Sequence, residues 1–240
     1  VDAMLGTGVD RDLEEPIVAA IRQVNRLDVP VLALDIPSGL DADTGEPPGL
    51  AMAATLTLAF VGLKSGYYLG KAPDFVGALE FAGLDLPQAF RAGESPVMRR
   101  IDGAFAARAL PPRRRSAHKG DHGRVLVVGG RAMPGAARLT GEAALRAGAG
   151  LVTVATCAAS AAAVLAGRPE LIVKDGMPAD LSAFDAIAVG PGLGMDAEAR
   201  NAFDAAGASG ARLVVDADAL TLLAERPRKS DGWILTPHPG

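Results

Sequence analysis

From Arg124 to Gly150 the chain reads RVLVVGGRAMPGAARLTGEAALRAGAG, and its apolar positions change period partway through. Residues 125–128 are an unbroken apolar run closed by Gly129 and Gly130, whereas Ala136, Leu139, Thr140, Ala143, Ala144 and Ala147 recur at helical spacing. Gly148 and Gly150 stop that pattern, and a second apolar run opens at Leu151. The stretch predicts strand, glycine turn, helix, glycine stop, strand. A short strand with no polar face must be covered on both sides, which places it in a parallel sheet between helices. The alanine-rich helix can lie close to that sheet, and glycines in the turn let backbone N–H groups approach a ligand. The alternation continues, with strands predicted at 151–155, 172–173, 186–189, 212–215 and 233–235, and helices at 158–166, 197–206 and from 219.

The earlier part of the chain carries the same signals. Residues 13–27 predict an amphipathic helix with Ile17, Val18, Ile21, Val24 and Leu27 on one face, and Pro16 in its first turn. Apolar runs at 30–36, 54–60 and 75–81 predict strands, and Val1 to Leu5 reads as a strand end. Pro87, Pro96, Pro111 and Pro112 mark the junction. The linker is placed near 86–96, and 101–110 is predicted as a short helix of the following domain. The expected fold class is therefore α/β, with two three-layer α/β domains at 1–98 and 99–240.

Composition narrows the function. Apolar residues make up 49% and charged residues 22%, as in an ordinary globular protein. A net charge of −4 and 4% aromatic residues give no support to a nucleic-acid partner, by charge or by base stacking. Arg113-Arg114-Arg115 reads as a solvated run, or else as a contact to nucleotide phosphates. Cys157 stands alone, so neither an internal disulfide nor a cysteine-only metal cluster can form, and a reducing cytoplasm fits. No apolar run approaches the ~20 residues that cross a bilayer, so no membrane partner is expected.

The candidate chemistry sits at strand ends, where ligands bind in open α/β sheets. In the first segment these are Asp2, the turn Gly6-Thr7-Gly8, Asp35 and Ser38. In the second they are GPGLG (190–194), Asp216-Ala217-Asp218 and TPHPG (236–240). Each alone has a plain alternative. A Gly-x-Gly or GPGLG segment can be a tight turn, a strand-end aspartate such as Asp216 can cap the next helix, and His238 can be a surface residue. No Walker-type, Gly-x-Gly-x-x-Gly or His-Glu-x-x-His pattern occurs, and three histidines without ligand spacing argue against zinc.

Taken together, VDAMLGTGVDRD, VLALDIPSGLDADTGEP and LAFVGLKSGYYLGKAPDFVG resemble the second half of the NAD(P)H-hydrate epimerase domain, a Rossmann-like fold. HKGDHGRVLVVGG, PGAARLTGEAALRAGAGLVTV, GPGLG, VVDADAL and LTPHPG, in this order, resemble the first part of the ADP-dependent NAD(P)H-hydrate dehydratase domain, which is ribokinase-like. Fused on one chain, the two resemble the bifunctional NAD(P)H-hydrate repair enzymes. The resemblance implies epimerisation of the R and S hydrates and ADP-dependent dehydration of the S form to NADH or NADPH, giving AMP and phosphate. It implies Asp35 as acid/base and substrate contact, and Asp2 and Ser38 as potassium ligands. The loop Gly6, Thr7, Gly8, Val9, Asp10, Arg11 and Asp12 would wrap the substrate phosphates. Ala136, Gly194 and His238 would contact the S-hydrate, the first two placed to within about one position along the chain. A potassium ion at the epimerase site, magnesium and ADP at the dehydratase site, and assembly into a homo-oligomer are also implied.

The family's Asn-Asn-Gly-Gly-Asp-Gly loop and its Gly-Ser/Thr-Gly-Asp segment do not occur. With Val1 inside an α/β unit and Gly240 directly after a strand, the chain reads as a piece cut at both ends, expected to have little dehydratase activity alone. The competing readings are a ribokinase-like small-molecule kinase, against which the epimerase-like first segment speaks, and a non-catalytic nucleotide-binding module.

Overall fold

The computed structural model describes every residue except 10, 88–92, 94, 111, 239 and 240. The chain divides into two compact units, Val1–Leu110 and Pro111–Gly240. Both are built on parallel sheets with helices, the α/β class that the alternating pattern predicts.

In the first unit, β1 (Leu32–Leu34), β2 (Leu56–Phe60) and β3 (Ala78–Ala82) form a parallel sheet in that order. Asp2 extends it beyond β1, its N–H donating to Leu32 O at 2.7 Å and its carbonyl accepting from Leu34 N at 2.9 Å. The helix α1 (Ile17–Val24) is shorter than the pattern at 13–27 predicts. Pro16 lies before its first residue, not within its first turn. At the far end the Asn25 side chain bonds Ala51 O (2.8 Å) and Ala53 N (2.9 Å), turning the chain off the helix axis. Ile21 is fully buried with Val31 and Met52, flanked by Ile17 and Val24, while Leu27 is exposed. A second cluster holds Ile36, Leu40, Ala59, Tyr67 and Val76.

The strand predicted at 75–81 begins later than the sequence suggests. Pro73 opens a one-turn helix, α2 (Pro73–Val76), and Gly77 at φ +61 turns the chain into β3. Pairing with β2 thus sets in only at Ala78. The helix α3 (Gly103–Ala109) is capped by Asp102, which accepts from Phe105 N at 2.7 Å. It groups with the first of the two compact units, which ends at Leu110.

The second unit carries a six-stranded parallel sheet, with β4 (Arg124–Val128), β5 (Leu151–Thr156), β6 (Ile172–Asp175), β7 (Ala186–Val189), β8 (Arg212–Asp216) and β9 (Trp233–Thr236) in the order β6-β5-β4-β7-β8-β9. The direction of strand addition reverses between β4 and β7, the place where α/β sheets open a crevice. Alternate residues of the central strands feed two cores. Leu126, Val128, Ile187 and Val189 pack with Phe203 and Leu222 of α6 (Ala197–Ala208) and α7 (Ala217–Glu225). Val127, Val152 and Val154 pack with Ala137 of α4 (Pro134–Ala147) and Val164 of α5 (Ala161–Leu165). The sheet is thus covered on both faces, which is why its centre tolerates no polar side.

Glycine lets α4 come close: a Cβ on Gly141 would meet the Leu171 side chain at 2.9 Å. Gly148 ends the helix at φ +113, its N–H reaching back to Ala144 and Leu145. Arg113 donates to Gly148 O at 2.6 Å, so one member of the arginine run closes a helix end while staying exposed.

Candidate functional site

At the carboxyl edge of the first sheet, β1 ends in Asp35 and the chain turns through Pro37 and Ser38. Asp2 (2% exposed) and Ser38 (0%) are brought together there. Ser38 Oγ donates to Asp2 Oδ1 at 2.7 Å, Ser38 N to Asp2 Oδ2 at 2.8 Å, and Leu5 N donates to Ser38 Oγ at 2.9 Å. Both residues predicted as cation ligands therefore meet, and Leu5 O lies 3.5 Å from the same hydroxyl. Gly6, Thr7, Gly8, Arg11 and Asp12 follow as an exposed loop, Val9 is buried beneath it, and Asp10 lies outside the described residues. Because α1 starts only at Ile17, the loop does not form a helix N-terminus. Any backbone donors to a phosphate come from the loop itself.

Asp35 is held in the left-handed region at φ +67, unusual for a residue other than glycine. Its N–H donates to Leu58 O (2.9 Å) and its carbonyl accepts from the Tyr67 hydroxyl (2.5 Å). Its carboxylate accepts from Phe60 N at 2.9 Å and pairs with the Lys64 ammonium, both at Oδ1. Burial, and then the nearby Asp35 charge, push the Tyr67 hydroxyl above its ordinary pKa, so it remains a donor. Lys64 and Tyr67 are not among the residues singled out from sequence. The available signal was positional: a lysine four residues past the end of β2, next to the strand that ends in Asp35.

In the second unit four strand ends converge. Gly190 N donates to Val128 O (3.0 Å), Gly130 N to Pro191 O (2.9 Å) and Ala132 N to Gly192 O (3.0 Å), so the turn after β4 and the turn after β7 are laced together. Gly130, Gly190, Gly192 and Gly194 all have positive φ. A Cβ on Gly129 or Gly192 would collide with backbone oxygen of the other turn, Pro191 O or Met133 O. Glycine is required at these two positions by close approach. Gly194 is held by its N–H donating to Asp218 Oδ2 at 2.7 Å, and Ala136 lies in the first turn of α4 with its N–H on Met133 O at 3.1 Å. Ala136 and Gly194 thus border one laced pair of turns. His238 is exposed just beyond β9, two residues after Thr236.

Asp216 does not cap α7: no side-chain cap bond is formed, and its Oδ1 instead accepts from the Thr236 hydroxyl at 2.8 Å, tying the ends of β8 and β9 together. At the ends of β4 and β5, on the other side of the laced turns from β8 and β9, lies a cavity of about 330 Å³ walled by Val128, Arg131, Thr156, Met177 and Leu193. Arg131 reaches Asp196 (3.1 Å) and Glu198 (2.8 Å), and the Asp196 hydrogen bond raises its pKa. Thr156 Oγ1, 2% exposed as a residue, has no partner among the described residues. Among the described residues no three His, Cys, Asp or Glu side chains gather as a metal site. Nor is any described helix long and apolar enough to cross a membrane.

Known proteins match along these same lines. The NAD(P)H-hydrate dehydratase family matches residues 125–240, and the YjeF-related protein N-terminus family matches residues 1–66. The bifunctional NAD(P)H-hydrate repair enzyme of Escherichia coli is 42% identical over 245 residues, covering 100% of this chain and 47% of the relative. That of Coxiella burnetii is 42% identical over 246 residues, covering 100% of this chain and 50% of the relative. The chain spans about half the length of the curated relatives it matches. Among solved structures, a hypothetical protein from Streptococcus mutans is 35% identical with a TM-score of 0.52, over 57% of this chain and 54% of that one. The ADP/ATP-dependent NAD(P)H-hydrate dehydratase from Bacillus subtilis, co-crystallised with ATP and Mg2+, is 32% identical with a TM-score of 0.50, over 57% of this chain and 51% of that one. With sequence matches over the whole of this chain, two family matches in the same order and a parallel α/β fold in each unit, the chain belongs to the family of the bifunctional NAD(P)H-hydrate repair enzymes.

Proposed function

We propose that the complete protein repairs hydrated NADH and NADPH, its first unit interconverting the R and S hydrates and its second dehydrating the S form. The observation that carries the first activity is Asp35 at the end of β1, fixed through Oδ1 with no donor reaching Oδ2 among the described residues. In the hydrate the hydroxyl-bearing carbon is bonded to the ring nitrogen. Inverting it requires a bond at that carbon to open and re-form on the other face. Asp35 Oδ2 takes the hydroxyl proton as the C–O bond becomes a carbonyl and the C–N electron pair returns to nitrogen. Closure on the opposite face gives the proton back. The oxygens of Asp2 and Ser38 suit a hard monovalent cation such as potassium, which would supply positive charge beside the substrate. The loop from Gly6 to Asp12 would receive the nucleotide phosphates.

In the second unit Ala136 and Gly194 at the laced turns, and His238 beyond β9, would contact the S-hydrate. Phosphorylation of the ring hydroxyl by ADP, then loss of phosphate, would leave NADH or NADPH with AMP as second product. The magnesium and nucleotide of the Bacillus subtilis dehydratase support ADP and magnesium here, though no residue of this chain is assigned to them. A cytoplasmic homo-oligomer completes the reading.

The test uses separated R and S hydrates and the complete protein, following ADP-driven recovery of NADH absorbance. Wild type is expected to restore both. Asp35→Asn is expected to lose about 10²–10⁴-fold in use of the R form while keeping use of the S form. Unimpaired R-to-S conversion by Asp35→Asn would end the assignment of Asp35.

A further inference from the structure

We propose that Lys64 is a positioning residue for the epimerisation, fixing Asp35 so that Oδ2 alone faces the reacting hydroxyl. The inference rests on the epimerase reading above and adds to it a residue with a separable test. Lys64 is not a loosely paired surface lysine. Its side chain is 18% exposed, its Nζ donates to Phe60 O at 3.0 Å, and its second donor is on Asp35 Oδ1. A third contact, with Nζ 5.9 Å from the Tyr67 ring centre, places it against an aromatic face.

The chain is bent to bring it there. After β2, Val61 adopts φ +66, an outlier for a β-branched residue, and its N–H bonds Ala82 O at 3.2 Å. That bend returns residue 64 over the carbonyl of residue 60. Two non-glycine residues in the left-handed region, Asp35 and Val61, therefore end neighbouring strands, and Lys64 links the strand ends through Asp35 Oδ1 and Phe60 O. Strained backbone of this kind persists only where surrounding contacts over-determine it, and it concentrates at functional sites.

The consequence is geometric. Phe60 N and Lys64 Nζ both bond Oδ1, Tyr67 Oη and Leu58 O bind the Asp35 backbone, and the carboxylate plane is thereby set. Without the ammonium, one backbone N–H remains on Oδ1 and the carboxylate can rotate about its last torsion, which is soft. Misplacement of a catalytic group by about 1 Å costs on the order of 10²-fold.

The experiment compares Lys64→Ala and Lys64→Arg in the complete protein. R-to-S interconversion is followed by NMR on the separated hydrates without ADP, and the unfolding curve of each variant beside wild type reports that the first unit is folded. Lys64→Ala is expected to lose about 100-fold in kcat with KM little changed. Lys64→Arg, which keeps the charge and the donors, is expected to recover most of that loss. Wild-type kcat in Lys64→Ala, a loss confined to KM, or an equal loss in both variants overturns the role. If Lys64→Ala does not fold, Lys64→Arg carries the test alone, and a kcat as low as that of Asp35→Asn overturns it. A wild-type protein that fails to interconvert the hydrates would instead remove the epimerase reading itself, whatever the Lys64 variants do.

Discussion

Gly190 meets two backbone demands at once. Its φ of +121 is open only to glycine, and a Cβ there would collide with Asp216 O and stand 2.8 Å from the Ala219 Cβ. Gly210, at φ +72 with open space around it, carries the conformational demand without the collision. Gly210→Ala is therefore expected to cost about 1 kcal/mol, and Gly190→Ala clearly more than the about 1–3 kcal/mol of backbone strain alone. Urea unfolding of the two variants measures the difference; equal midpoints would show that Gly190 is not pinned against Asp216. The same comparison explains what single residues disclosed in the sequence. The placement of Asp35, Ser38 and Asp2 at one sheet edge was legible because strand-end carboxylates and hydroxyls are chemically conspicuous. The place of Lys64 beside Asp35 was not, because it depends on a bend at Val61 that a valine gives no reason to expect.

The elements were legible wherever the apolar period was long and uninterrupted. The strand predicted at 186–189 is found at those residues, and the helix at 197–206 is extended by two residues to Ala208. Failures fell where local chemistry cut the period short, at Asn25 beyond α1 and at Gly77 before β3. The start of α6 shows such local chemistry stabilising an element. Asp196 caps it through Ala199 N (2.8 Å) and also meets Arg131. The amide bond first, and the arginine second, hold its carboxyl below the ordinary value of 3.8. A carboxyl depressed by folding stabilises the native state above its unfolded pKa, and that contribution disappears as pH falls through the lower folded value. Asp196→Asn keeps a capping oxygen but cannot titrate. Its urea midpoint is expected to fall less than that of wild type between about pH 5 and pH 2. Parallel acid profiles for the two proteins would mean that Asp196 contributes nothing to acid sensitivity.

At the scale of the whole molecule, each unit presents its candidate residues at the carboxyl edge of its own parallel sheet, and no residue assigned to one site belongs to the other unit. Two chemistries carried by separate constellations should be separable by mutation. Asp218 offers the counterpart to Asp35. Its Oδ2 fixes Gly194 N, and removing it leaves that N–H without its partner and frees the turn after β7. In the complete protein Asp218→Ala is expected to slow dehydration of the S-hydrate about tenfold or more, by loosening a substrate contact, while R-to-S interconversion proceeds at the wild-type rate. Asp35→Asn is expected to do the reverse. Mixing the two variants should then restore NADH from the R-hydrate, because the S-hydrate made by one protein diffuses to the other. Measuring NADH recovery from pure R-hydrate with each variant alone and with the mixture decides the matter. If the mixture recovers no more than the better single variant, the two sites are not independent, and the S-hydrate is not a freely exchanging intermediate between them.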